Sequence, residues 1–323
     1  ILLPILLGEI ALHNGQREDA IRHLSRATLL NSEEPRPWLS LAGMYRTDGQ
    51  TQRELETLHA AVLAVPESGD LHFALAKACL NLGMPSEAVP HLHHAARLLP
   101  GSPDVAWMLG KTLHQLGHGK QARRVLEAAR ARWPQHPYVA VADAETMIEA
   151  GDLEAAILPL EVAIHSEAPE SEWYLLYAKA LLGFSPEQML DGRALIDSTR
   201  LERAEQALLN VLSGCPRHFE AGVLLAETLQ AQNSTEKAFA IYSGLVERSQ
   251  AALPEWRWRV QAGFGQVALA YNQVETAVAA LREATQAQPE NVALHQLLAA
   301  AYCRADLAEE AAQVARQTVQ LAP

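Results

Sequence analysis

Two stretches laid one above the other decide how this chain folds. Gly83 to Pro100 reads GMPSEAVPHLHHAARLLP, and Gly117 to Pro134 reads GHGKQARRVLEAARARWP. With the leading glycines aligned, Ala88 lies over Ala122, Leu92 over Leu126 and Ala95 over Ala129, and the closing prolines coincide at an offset of 34 residues. The same beat runs outward through Gly15, Gly49 and Gly151, through Ala20 and Ala156, and through Leu24, Leu58 and Leu160. It continues in Ala27, Ala61 and Ala163 and in Pro66, with Glu54 the one departure from the first alanine column. Self-similarity at a fixed period of this length marks stacked supersecondary units, none of which can bury its apolar face alone.

Physical chemistry explains each mark. Alanine is the strongest helix former and leucine fills the space between helices. The glycine ends a first helix, because a left-handed backbone residue costs little only without a Cβ. The proline stops a second helix, having no N–H to continue it. Each period therefore predicts two helices joined by a tight turn.

The marks resemble the tetratricopeptide repeat, whose pattern places Trp, Leu, Gly or Ala, and Tyr at positions 4, 7, 8 and 11. Trp38, Leu41, Ala42 and Tyr45 match it in the second period, Leu109 and Gly110 in the fourth, and Leu298, Ala299 and Tyr302 in the ninth. The resemblance implies an all-α, right-handed superhelical solenoid of about nine helix-turn-helix repeats over the whole chain. Residues 1–183 are expected to hold repeats one to five and the first helix of repeat six. Residues 184–198 read as an insertion, with a short helix at Pro186 to Leu190 and a loop at Asp191-Gly192. Residues 199–323 continue the same array through repeat nine, with a smaller slip from Gln250 to Trp258. The beat resumes at Ala277, Leu281, Ala284 and Pro289 and reaches Pro323 without a further capping helix. Ile1 likewise begins inside a helix, so the natural protein is expected to continue in at least one direction, and exposed end repeats would permit self-association.

Composition narrows the function classes. Of 323 residues, 49% are hydrophobic and 6% aromatic, a folded rather than a disordered balance. The net charge of −12 opposes broad attraction to nucleic acid. Cys79, Cys215 and Cys303 are far apart, which gives neither zinc spacing nor a disulfide framework and suits a reducing compartment such as the cytoplasm. No apolar run reaches the roughly 18 residues of a membrane span. There is no glycine-rich phosphate loop, GxSxG elbow or HExxH, so neither enzyme chemistry nor a cofactor is expected.

In the resembled family, positions 2, 5, 9 and 12 of the first helices face a concave groove. Here those positions carry Phe73 and Lys77, then Trp107 and Lys111, then Tyr138 and Glu145, then Lys179. An aromatic strip beside charges suits a peptide ligand, whereas the plain alternative is local packing beneath a solvated face. From Trp133 to Ala178 there is no lysine or arginine but nine acidic residues, and Glu145, Glu149 and Glu172 are expected to offer a basic segment an acidic patch. Trp256 and Trp258, within Trp256-Arg257-Trp258-Arg259, form a second partner-site candidate, because Trp and Arg dominate interface hot spots, with packing of one Trp into the disturbed repeat junction as the equal alternative.

Two better-known modes of the family are missing, since neither the carboxylate clamp nor the asparagine ladder has its asparagines. Position 6 holds Leu6, Ser40, Ala74, Met108 and Ala142. His91, His93 and His94 cluster on one helix without Cys or carboxylate ligands, so they read as surface histidines rather than a metal site. Asp143 occupies a normally buried leucine position and needs a partner. The expectation is a non-enzymatic scaffold that binds a protein or peptide. A recruiting or regulatory part of a larger enzyme, or of an envelope or secretion assembly, stays open beside it.

Overall fold

The computed structural model describes residues 2–183, 197–249 and 254–321, and among them every regular element is helical. The expected short helix at Pro186 to Leu190 lies outside the described residues. The chain resolves into two compact units, Ile1–Ala150 and Gly151–Pro323.

The first unit holds α1 (Leu2–His13), α2 (Arg17–Leu30), α3 (Pro35–Thr47), α4 (Thr51–Ala64), α5 (Gly69–Asn81), α6 (Pro85–Leu98), α7 (Pro103–Gln115), α8 (Gly119–Arg132) and α9 (Pro137–Glu149). Successive helices pack in pairs, α1 on α2 through α7 on α8, and each pair packs on the next. The columns seen in sequence form the core: Ala20, Leu24, Ala88, Leu92, Ala122 and Leu126 are all fully buried. Gly110 shows why position 8 must be small, because a Cβ there would come within 2.5 Å of Leu126 Cγ. Ser68 and Ser102 cap α5 and α7, each accepting a hydrogen bond from the backbone N–H three residues on.

The second unit holds α10 (Leu153–Ile164), α11 (Ser171–Leu182), α12 (Ser198–Gly214), α13 (Phe219–Ala231), α14 (Thr235–Ser249), α15 (Pro254–Ala270), α16 (Val274–Ala287), α17 (Val292–Arg304) and α18 (Ala308–Leu321). α11 packs directly on α12, so the sixth hairpin forms although the long insertion separates its two halves in sequence. Gly183 still ends α11 with a φ of 57°, but beyond it glycine no longer marks the turns. Asn233, Asn272 and Asp306 take its place with φ of 59°, 60° and 59°, matching Gly15, Gly49, Gly83, Gly117 and Gly151 at 68–81°. Asn and Asp are the non-glycine residues that tolerate this conformation best.

Tyr242 stands in the leucine column and is 1% exposed. It fits because Gly263, on the following repeat, leaves the space its hydroxyl occupies: a Cβ there would lie 2.3 Å from the Tyr242 oxygen.

Candidate protein-binding surface

The first helices of the first unit carry the aromatic strip. Phe73 and Lys77 are one turn apart on α5, and the Lys77 ammonium stands 4.8 Å from the Phe73 ring centre. Trp107 and Lys111 repeat the arrangement on α7 at 5.9 Å. The i,i+4 spacing places both partners on one helix face, and the ring quadrupole attracts the cation. Tyr138 of α9 extends the strip: its ring lies 5.0 Å from that of Trp107, tilted by 46°, and the residue is 37% exposed. The helices beneath are fixed by close packing, since α7 and α9 touch directly and Phe73 and Met108 pack on the core beneath. Among the described residues, no carboxylate lies within 4.0 Å of either Lys77 or Lys111.

Nearby charges are already engaged. His114 Nε2 donates to Glu149 Oε1 at 2.7 Å, and His136 Nε2 stands 3.7 Å from Asp104. Glu145 is half-buried on α9, while Glu172 is exposed on α11 in the other unit. Of the three acids predicted as a patch, the first unit therefore holds two, and one of those already has a histidine partner.

In the second unit the same repeat positions pair with each other. Lys179, at position 9 of repeat six, reaches Glu220, at position 2 of repeat seven, at 2.6 Å. Glu227, at position 9 of repeat seven, is gripped by Arg259 at position 2 of repeat eight, with contacts of 2.9 Å and 2.8 Å to its two oxygens. Burial pushes the Glu227 carboxyl upward and Arg259 pulls it back, while burial and Glu227 together push the Tyr242 hydroxyl well above its ordinary value.

Trp256 supports this pair, with the Arg259 guanidinium 4.7 Å from its ring centre. Trp258 is corrected from partner-site candidate to core residue. It is 8% exposed and packs with Ala262, Ala284 and Leu294, which leaves little of it to meet a partner.

Two features escaped the sequence reading. Arg130 of α8 turns inward to Asp143, with Nε 2.7 Å from Oδ2 of a carboxylate that has no exposure. Nε approaches off its N–H direction, so both Asp143 oxygens lack a directed hydrogen bond and charge holds the pair. Burial drives the Asp143 carboxyl upward and Arg130 opposes it.

The histidines also gather more widely than α6 alone. His72 stacks on His94 at 4.9 Å and meets His91 with their Nδ1 atoms 3.1 Å apart, while His59 lies 6.3 Å from His91. His72 Nε2 faces the Pro66 carbonyl at 3.0 Å, which can only accept. The His72 proton therefore sits on Nε2, and its bare Nδ1 accepts from His91 Nδ1–H. Burial, and then the neighbouring imidazoles, lower the pKa of His91; burial leads for His72 as well. Among the described residues, no three His, Cys, Asp or Glu side chains are placed to hold a metal. Among those residues, too, no helix is long and apolar enough to cross a membrane.

A family model of the tetratricopeptide repeat matches residues 83–142, the stretch in which the beat is cleanest. Over that stretch the chain carries the tetratricopeptide repeat. Among solved structures, the C-terminal part of a TPR repeat-containing protein from Cytophaga hutchinsonii matches at 14% identity and TM-score 0.55, covering 80% of this chain and 98% of that one. That likeness establishes the fold. MamA from Desulfovibrio magneticus RS-1 matches at 18% identity and TM-score 0.46, over 57% of this chain and 96% of that chain. YrrB, described as a TPR protein with an unusual peptide-binding site, matches at 16% identity and TM-score 0.47, over 65% and 97%. No curated protein matches the sequence.

Proposed function

We propose that this tetratricopeptide-repeat protein is a non-catalytic scaffold that binds a protein segment on the aromatic–lysine face of its first unit. One observation carries the reading. Lys77 and Lys111, at one position of consecutive repeats, stand over aromatic rings without a carboxylate partner among the described residues, whereas Lys179 at that position in the second unit is paired. Half-buried aromatics beside unspent donors, with the exposed Tyr138 next to them, have the make-up of an interface hot spot. A recruiting part of a larger enzyme, or of an envelope or secretion assembly, would use the same face.

Panning a random peptide display library on the immobilised chain tests the face. Enriched peptides should lose most of their binding to a Trp107→Ala/Tyr138→Ala variant and keep it with Trp256→Ala. Enriched peptides that bind the Trp107→Ala/Tyr138→Ala variant as well as the unaltered chain would place the binding surface elsewhere.

A further inference from the structure

We infer that the first-unit face selects an acidic segment, whose carboxylates supply what the array supplies for itself in the second unit. The inference rests on the proposed binding role of that face.

In the second unit, the residue at position 9 of one repeat pairs with the opposite charge at position 2 of the next, as in Lys179 with Glu220 and Glu227 with Arg259. The first unit sets up the same geometry without completing it. After Lys77 the next position 2 is Asp104, which lies beside His136, not the lysine. After Lys111 the next position 2 is Tyr138, which brings a ring and no acid.

Each ammonium approaches a ring on one side, and its N–H donors remain for a ligand oxygen. Of the neighbouring carboxylates that would repel an acidic ligand, Asp104 and Glu149 each lie beside a histidine and Glu145 is half-buried, while Asp70 is exposed in the first turn of α5, about two turns from Lys77. The first unit is also nearly balanced, with 14 basic and 16 acidic residues, against 12 and 22 in the second.

Geometry adds a spacing. Packed helices stand about 8–10 Å apart, and α6 packs against both α5 and α7, so the lysines at one position of these first helices present two anchors separated by at least about that distance. An extended segment rises about 3.3 Å per residue, so carboxylates three residues apart span it. Trp107 and Tyr138 then lie beside the second anchor and suit an apolar side chain next to that acid.

Three fluorescent pools of short peptides test this against the full chain by anisotropy, with fixed cores Glu-x-x-Glu, Gln-x-x-Gln and Lys-x-x-Lys and all other positions randomised. The glutamate pool should bind about tenfold tighter than the glutamine pool, the worth of one charge-assisted hydrogen bond, and lose that margin as salt rises. Lys77→Gln/Lys111→Gln should abolish the preference, while Lys179→Gln, whose lysine is already paired, should preserve it.

A glutamine pool that binds as tightly as the glutamate pool, yet still depends on Trp107, would overturn the acidic selectivity and leave the binding face standing. A preference for the lysine pool would overturn it in favour of the acidic-patch reading. A glutamate preference that survives loss of both lysines would also overturn it. Absence of binding by all three pools would overturn it too, and the library selection would then judge the face by itself.

Discussion

Replacing Arg130 with methionine should reveal how much of the fourth-to-fifth repeat junction depends on one buried charge. Methionine keeps the apolar stem, so the change removes the charge more than the packing. Asp143 is fully buried, and its oxygens have no directed hydrogen bond, so Arg130 is its main compensating charge, with Arg123 a lesser one. Stripping one partner from a buried pair costs about 3–5 kcal/mol, and because Arg130 is itself 39% exposed the lower end applies, about 3 kcal/mol near neutral pH.

The sign of the pH dependence follows from Asp143. Its folded pKa is raised, so between the unfolded and folded values the folded state binds the extra proton and stability rises as pH falls. Removing Arg130 raises that pKa further, so the variant should recover part of its loss on acidification from about pH 7 to about pH 5.

Repeat arrays open locally, so hydrogen exchange of the α8 and α9 amides reports this better than a global melt. Asp143→Leu should be near neutral alone and should rescue the Arg130→Met protein. A loss below about 1 kcal/mol at neutral pH would show that the buried carboxylate does not depend on Arg130. An identical loss at both pH values would show the same.

The histidine cluster should behave oppositely. His72 and His91 have lowered pKa values, so their contribution to stability is complete above the ordinary histidine value and is lost as pH falls through the folded one; α5 and α6 amides should lose protection, measured against the intrinsic exchange rate at each pH, from about pH 7.5 to about pH 5.5, and His91→Phe should flatten that dependence. Asn233→Gly should be neutral or slightly stabilising by urea unfolding, whereas Asn233→Val should cost about 1–2 kcal/mol, because only the valine is strained at a φ of 59°. Gly110→Leu should cost about 1–3 kcal/mol by the same measurement, since it drives a side chain into Leu126, while Gly101→Ala, with open space around it, should be silent.

The fold was legible because its repeat is enforced at close-packed positions. Leu126 tolerates only a small residue opposite it, so Gly110 and the alanines of the other repeats recur on a countable beat. The turn column was legible while it held glycine. It faded at Asn233, Asn272 and Asp306, although the backbone requirement is the same and a search for residues that tolerate positive φ would have kept the register. With Asn272 placed, Trp258 falls at the first position of its repeat. It then reads as an entry into the core, and Trp256 as its partly exposed neighbour.

The candidate site divides along the same line. Lysine over aromatic at i,i+4 is a property of one helix, so Phe73 with Lys77 and Trp107 with Lys111 could be read directly. Arg130 with Asp143, Lys179 with Glu220 and Arg259 with Glu227 join different hairpins. Their pairing depends on the lateral offset between stacked repeats, which no single-helix period encodes. That offset also gives the unpaired lysines their meaning. A charge at position 9 is an ordinary solvated residue when its own helix alone is considered. It becomes an open valence once Lys179 with Glu220 and Glu227 with Arg259 show that the next helix can close it, and after Lys111 it is Tyr138 that stands where the closing acid would be.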